Sequence, residues 1–142
     1  MDTTTAHQLP LTVADRRALS DHASLGRAGE RLAALHLRRD HRLQVLASNW
    51  RIADGSLRGE LDVVAVDPAD GTLVVCEVKT RRDADRFGGA VAAVDPGKHR
   101  QLRALTAAFL REQHERYPSV RLDLVAIDAG RRARLTHIVG LV

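Results

Sequence analysis

The sequence predicts an α/β fold in which a β-sheet is flanked by α-helices, in the order α-β-β-β-α-β-β. Two segments, residues 24–40 and 95–117, have apolar residues at helical spacing. The segments between and after them show the apolar patterns of strands, separated by turn-forming residues. These strand segments are residues 42–52, 60–66, 72–80, 120–128 and 134–142.

The first helix is expected to follow Ser24, a residue type that commonly caps helix N termini. Two apolar stripes run along this helix, so much of its surface is expected to be covered. Glu30 lies on the second stripe, where it could face the protein interior or simply complement the helix dipole. The first stripe contains Ala28, Leu32 and Leu35, and the second contains Ala33, Ala34 and Leu37.

The second helix has Asp95 as its expected cap and Pro96 at its first position. Lys98 points in the same direction as the apolar stripe of this helix. That direction is unusual for a lysine unless its ammonium group finds an anion. The apolar stripe consists of Leu102, Leu105 and Phe109, and the opposite face carries Arg100, Arg103 and Arg111.

The domain organisation is predicted to be simple. Residues 25–142 are expected to form a single domain, which suits their number. Residues 1–24 are expected to be a flexible N-terminal extension, because threonines and Pro10 favour an unstructured start. A short helix could nevertheless begin at Val13.

Composition narrows the classes of function. The 142 residues carry a formal net charge of +4, and a basic fold favours a polyanionic partner such as nucleic acid. Aromatic residues make up only 3%, which argues against a stacking platform for single strands. A single cysteine excludes an intramolecular disulfide, and no apolar run approaches the length of a membrane span. We therefore expect a cytoplasmic protein without a membrane partner.

Two opposite charges interrupt the apolar strand sequence VVCEVKTR, residues 74–81. Glu77 and Lys79 are two positions apart, so their side chains point to the same face of the strand. Burying a charge is unfavourable unless it is paired or bound to a metal. The strand therefore predicts either a metal site or a structural glutamate–lysine pair on a half-exposed face.

The preceding strand can bring a second carboxylate to this face. If the hairpin pairs Val66 with Leu73, then Asp62 lies opposite Glu77, and Glu60 lies opposite the lysine. Two opposed carboxylates repel each other unless a cation neutralises them, and oxygen ligands suit Mg²⁺. This register predicts that Asp62 and Glu77 hold Mg²⁺ (or Mn²⁺), while the lysine positions or deprotonates a water molecule for attack.

These residues resemble a nuclease signature. GELD followed by CEVK resembles the D…ExK signature of the PD-(D/E)xK nuclease superfamily. More narrowly, the chain resembles the YraN family, bacterial proteins regarded as candidate endonucleases similar to archaeal Holliday-junction resolvases. The matching blocks are GRAGE (26–30), NWR (49–51), GELD (59–62), EVKTR (77–81), FG (87–88), Lys98 and RLDLVAID (121–128).

The resemblance implies a restriction-endonuclease-like fold, which is a central mixed β-sheet flanked by α-helices. It implies that Asp62 and Glu77 hold the metal and that the backbone carbonyl of Val78 adds a ligand. Lys79 would act on the attacking water. Glu30, from the first helix, would bind a metal directly or through water.

The leading hypothesis is therefore a metal-dependent endonuclease that hydrolyses DNA phosphodiester bonds, on branched or otherwise structured DNA. The alternatives are a non-catalytic nucleic-acid-binding module and a protein-interaction adaptor that docks through residues 1–24. Resolution of a junction would need two active sites, which favours a homodimer, although no residue demonstrates one. Candidate phosphate contacts are Arg51 and Arg81, which lie in matching blocks, and Arg82, Lys98, Arg100 and Arg103, for which a solvated face is the alternative.

Overall fold

The computed structural model describes residues 4–82 and 95–141. Within these ranges, none of the helices is both long enough and apolar enough to cross a membrane. The helices are α1 (Val13–Ser20), α2 (Leu25–Asp40) and α3 (Pro96–Glu112). The strands are β1 (Thr4–Gln8), β2 (Gln44–Trp50), β3 (Leu61–Val66), β4 (Leu73–Arg81), β5 (Val120–Asp128) and β6 (Arg134–Ile138).

The strands form one mixed sheet in the order β1-β6-β5-β4-β3-β2. The β4 and β5 strands are parallel, and the other neighbouring pairs are antiparallel. The chain between the parallel strands includes α3, because such strands need a long crossover connection. From α2 onward the elements follow the predicted order, and the α/β class with a mixed central sheet is confirmed.

Helices cover both faces of the sheet. The α1 and α2 helices lie over a core cluster that includes Leu37 and Val74, and α3 lies over a second cluster that includes Leu105 and Val75. Most of the predicted stripe residues of α2 and α3 are buried. Leu35 is an exception at 37% exposure, because the sheet and the short α1 cover only part of the circumference of α2.

The N-terminal segment contains two of these elements, although the sequence pattern assigns residues 1–24 to a flexible extension. The β1 strand pairs with β6 at the edge of the sheet, in a register that joins Ala6 to Thr136. The α1 helix packs on α2, and its Leu19 is only 3% exposed. The physical reason is that β6 would otherwise have an unpaired edge, and α2 would have an exposed apolar surface. The β1 strand covers the first and the α1 helix covers the second.

The β3–β4 hairpin has the register that the sequence predicts. Val66 pairs with Leu73 across the turn of residues 67–72. Val75 packs in the cluster beneath α3. Because side chains alternate along a strand, Glu77 and Lys79 emerge on the same side of the sheet as α3.

The N termini of α3 and α2 are stabilised differently. Asp95 caps α3 as predicted, since its Oδ1 accepts a hydrogen bond from the Lys98 backbone N–H at 2.8 Å. Pro96 opens that helix, also as predicted. Ser24 precedes α2, but its hydroxyl donates to the Ala18 carbonyl at 2.7 Å instead of capping the helix. Ser24 therefore ties α2 to α1.

Candidate active site

The candidate site begins where β3 and β4 separate. Their backbone pairing ends at Val63 and Cys76. At the next residue of β3, a side-chain oxygen takes the place of a backbone acceptor. Oδ2 of Asp62 accepts a hydrogen bond from the Val78 backbone N–H at 2.9 Å. Asp62 is only 8% exposed. The separating strands thus hold a carboxylate in a buried gap between them.

Glu77 lies beside Asp62 on the neighbouring strand, and only 3% of its side chain is exposed. Its Oε1 lies 3.3 Å from Nζ of Lys98 and 3.7 Å from Nζ of Lys79. Its Oε2 is buried and has no hydrogen-bond partner among the described residues. Glu77 is therefore the anion that pairs with Lys98. One of its oxygens contacts both lysines, and the other has no hydrogen-bond partner in the part of the chain that the structure describes.

Two further carboxylates meet Asp62 from different elements. Oxygen atoms of Glu30, Glu60 and Asp62 all lie within 4.8 Å of one another. Asn49 holds two of these groups, because its Nδ2 donates to Glu30 Oε2 at 2.7 Å and lies 3.2 Å from Glu60 Oε1. Arg51 donates from Nε to Glu60 Oε2 at 3.0 Å. The result is an acidic cluster with oxygen ligands converging from α2, β3 and the loop before β3.

The electrostatics of the cluster favour bound positive charge. Burial raises the pKa of Asp62 to about 8, and repulsion from the Glu77 carboxylate adds to this effect. Burial also raises the pKa of Glu30, although the hydrogen bond from Asn49 opposes the change. Carboxylates in this state take up a proton or a cation more readily than isolated carboxylates do, which is typical of functional sites.

Comparison with known proteins places these residues in a family. The family described as "Uncharacterised protein family UPF0102" matches residues 29–127. A UPF0102 protein of Mycolicibacterium gilvum is 49% identical over 121 residues, which cover 84% of this chain and 94% of that protein. The chain belongs to the UPF0102 family.

Other UPF0102 proteins are similar to the chain at comparable levels. The protein of Mycolicibacterium vanbaalenii is 46% identical over 122 residues, covering 84% of this chain and 93% of that protein. The protein of Mycobacterium sp. strain JLS is 44% identical over 121 residues, covering 84% of this chain and 85% of that protein. No solved structure matches the chain.

The segment that matches the UPF0102 family contains two site residues to which sequence reasoning gave no role. Asn49 joins Glu30 to Glu60 and adopts a positive φ of 50°, a conformation that asparagine tolerates better than most residues. Its place in the NWR block is the signal that could have identified it. Glu60 was expected opposite Lys79, but it turns toward β2 and pairs with Arg51 instead. The reason is that the β3–β4 ladder ends before it reaches Glu60.

The structure gathers only some of the predicted phosphate-binding residues around the acidic cluster. Lys98 contacts Glu77, and Arg51 contacts Glu60 while 72% of its side chain stays exposed. Arg81 and Arg100 are exposed, and the FG block (87–88) lies outside the described residues.

Two other arginines are not gathered around the cluster. Arg82 donates from Nε to the Leu19 carbonyl at 3.0 Å, so it joins β4 to α1. Arg103 lines a cavity of about 430 Å³ between α3 and β5, together with Leu110 and Leu141, and none of the acidic residues lines that cavity.

Proposed function

We propose that this protein is a metal-dependent endonuclease that hydrolyses phosphodiester bonds in DNA. The observation that carries the proposal is the state of Glu77. Its buried carboxylate has one oxygen held by two lysines and one oxygen that finds no partner within residues 4–82 and 95–141, beside a second buried carboxylate. Such an arrangement is costly in a purely structural role and is accounted for by a cation and a phosphate that complete the site.

The donor set fits Mg²⁺ or Mn²⁺. Both ions prefer hard oxygen ligands, and Mg²⁺ is usually held by one or two carboxylates. Asp62 and Glu77 would provide these carboxylates, and Glu30 would add a third oxygen from the cluster it shares with Asp62. The backbone carbonyl of Val78 would add a further oxygen ligand. The N–H of the same residue orients Asp62 by a hydrogen bond. When bound, the ion would polarise the scissile phosphate and favour ionisation of the attacking water.

The lysines have different roles in this reaction. In hydrolysis, the water oxygen forms a bond to phosphorus while the bond from phosphorus to the leaving oxygen breaks. Lys79 is 30% exposed and stands beside Glu77, so it can position that water as an ammonium group and, once deprotonated, accept the proton of the water, while solvent protonates the leaving oxygen. Lys98, at the start of α3, can hold a non-bridging phosphate oxygen where the helix N terminus also favours an anion.

Basic side chains around the cluster favour a polyanionic substrate. The chain carries a formal net charge of +4. Exposed guanidinium groups are presented by Arg51, which follows β2 and contacts Glu60, and by Arg81 at the end of β4. Arginine binds phosphate through paired N–H donors, which suits a nucleic-acid backbone. The resemblance to Holliday-junction resolvases adds branched DNA as the proposed substrate. It also adds a homodimer as the proposed active form, because a junction needs two active sites.

A cleavage assay tests the proposed function. Purified protein is incubated with duplex, flap and four-way-junction DNA in the presence of Mg²⁺ or Mn²⁺, and cleavage is expected to disappear in Asp62→Ala and in chelator. A calorimetric titration with Mn²⁺ should lose its signal in Asp62→Asn. Cleavage that survives either chelator or Asp62→Ala would contradict the proposal. Salt-sensitive DNA binding without any cleavage would instead support the non-catalytic binding module.

Lys98→Ala is expected to weaken DNA cleavage and binding more than Arg111→Ala does. Both changes remove one positive charge from α3, but Lys98 contacts Glu77 and Arg111 lies exposed in the last turn of the helix. Losing one phosphate contact should also reduce the slope of log affinity against log salt concentration by about one, because one counterion fewer is released on binding. The measurement is DNA affinity at several salt concentrations together with the cleavage rate. Equal losses in both variants would place Lys98 outside the substrate path.

A further inference from the structure

A second polar cluster lies near the C-terminal end of α2, away from the carboxylates. It brings together His36 of α2, His41 just after that helix, and His137 of β6. One ring nitrogen from each histidine lies within 4.8 Å of the other two. His137 is fully buried, and only 4% of the His36 side chain is exposed. Three imidazoles in one buried place are unusual unless their nitrogens have a common partner.

A buried carboxylate fixes the tautomer of His137. Its Nε2 lies 2.8 Å from Oδ2 of Asp123, whose side chain is also fully buried. Asp123 accepts further hydrogen bonds from Arg121 and from the Gly140 backbone N–H. These hydrogen bonds keep Asp123 ionised, since they hold its pKa below the usual range despite its burial. His137 therefore donates from Nε2, and its Nδ1 carries a lone pair when the ring is neutral.

A second carboxylate fixes His36 in the complementary way. Nδ1 of His36 lies 2.8 Å from Oδ2 of Asp40, so this nitrogen donates and Nε2 carries the lone pair. That Nε2 lies 3.0 Å from Nδ1 of His137. Nε2 of His41 lies 3.1 Å from the same Nδ1. A proton on His41 could satisfy only one of these contacts, which would leave the lone pairs of His36 and His137 facing each other.

A single cation satisfies all three nitrogens at once. Zinc–nitrogen bonds are about 2.0–2.1 Å long, so two ligands of a tetrahedral ion lie about 3.3 Å apart. The contacts of 3.0 and 3.1 Å approach that spacing. Metal-binding histidines also typically donate their other N–H to a carboxylate, as Asp40 and Asp123 allow here. We propose that Nε2 of His36, Nε2 of His41 and Nδ1 of His137 bind a divalent transition-metal ion of the Zn²⁺ type.

The protonation state of the histidines is compatible with metal binding. Burial lowers the pKa of His36 to about 4, and burial also lowers the pKa of His41. Burial thus favours the neutral imidazole ring, which is the form that binds metals. Imidazole ligands favour Zn²⁺ and neighbouring transition metals over Mg²⁺, so this site and the acidic cluster select different ions.

The position of the site gives the ion a structural role. His36 and His41 come from α2 and the residue that follows it, whereas His137 comes from β6, so one ion would fasten α2 to the strand that β1 also joins. The ion would stabilise the folded state, because the unfolded chain holds these ligands far apart. This proposal does not depend on nuclease activity, since Glu30 lies six residues, or about 9 Å, before His36 along α2.

Cobalt binding tests the proposal. The metal-free protein is titrated with Co²⁺, and one ion per chain is expected to give the strong visible absorption of a tetrahedral, nitrogen-rich site. Zn²⁺ should displace it, and in the Asp62→Asn background Zn²⁺ but not Mg²⁺ should raise Tm by several degrees. The titration is repeated in Asp62→Asn, which disables the acidic cluster and should leave the absorption unchanged.

The matched variants are His41→Ala and His114→Ala. His41 is only half-buried, so its removal should leave the fold intact by circular dichroism, yet weaken Co²⁺ binding more than about 100-fold. His114 is exposed and lies outside the cluster, so its removal should change nothing. A protein without tetrahedral Co²⁺ absorption, or one whose absorption persists in His41→Ala, would overturn the proposal.

Discussion

Lys79→Ala is expected to lower the rate of DNA cleavage by about 10²–10⁴-fold, the usual range for a group that moves a proton in the rate-limiting step. Binding of Mn²⁺ should be retained or become tighter. Lys79 stands 3.7 Å from a Glu77 oxygen, so removing its positive charge should favour a dication at that carboxylate. The measurements are single-turnover cleavage and calorimetric titration on the same protein.

The chain supplies a matched control for this prediction in Lys98→Ala. Lys98 contacts the same oxygen of Glu77, at 3.3 Å, and its side chain is 26% exposed against 30% for Lys79. If Lys79 acts only by pairing with Glu77, the two variants should lose similar activity. We expect instead that Lys79→Ala lowers the rate at saturating DNA, whereas Lys98→Ala mainly weakens DNA binding. Equal rates in wild type and Lys79→Ala would remove Lys79 from the chemistry.

Gly29→Ala is expected to lower the free energy of unfolding by about 1–3 kcal/mol, the typical cost of overpacking a core. Gly29 lies where α2 crosses β4, and a Cβ there would overlap the Thr80 hydroxyl and approach the Thr80 Cβ to 2.9 Å. The helix would have to move away from the strand. Glu30 is the next residue, so cleavage should fall together with stability, as measured by chemical denaturation and by the cleavage assay.

Gly26→Ala provides the control for Gly29→Ala. Gly26 belongs to the same helix and the same GRAGE block, but a Cβ at this position would meet nothing within 4 Å. Replacing a helical glycine by alanine at such a site should stabilise the protein by up to about 1 kcal/mol. The double variant Gly29→Ala/Thr80→Ala lacks the overlapping hydroxyl and should recover part of the loss. A Gly29→Ala protein as stable as wild type would show that α2 does not need this close approach.

Local patterns in the sequence were sufficient for much of the fold. The apolar periodicity of α2 and α3, the cap at Asp95 and the alternation along the strands are properties of short segments, and these predictions are confirmed. The hairpin register is also local, because only the turn of residues 67–72 separates Val66 from Leu73. That register then brought Asp62 beside Glu77, so the centre of the candidate site could be predicted from two neighbouring strands.

Segments without a strong pattern were not predicted. The β1 strand, TTAHQ, is polar and short, and nothing within it indicates a strand. It forms because the β6 edge offers backbone partners, which are about 130 residues away along the chain. Arg82 likewise looked like a phosphate contact, but the folded chain brings the Leu19 carbonyl within hydrogen-bond distance of it.

The sequence by itself determined the fold class, the strand pairing at the hairpin and the pair of carboxylates with their lysine. The resemblance already implied a place for Glu30. Only the tertiary structure decided that Asn49 joins it to Glu60, that Lys98 reaches Glu77 and that three histidines converge near the C-terminal end of α2. The physical reason is sequence separation. Periodicity and turn geometry act over a few residues, whereas His36 and His137 are 101 positions apart and meet only after the helix has packed on the completed sheet.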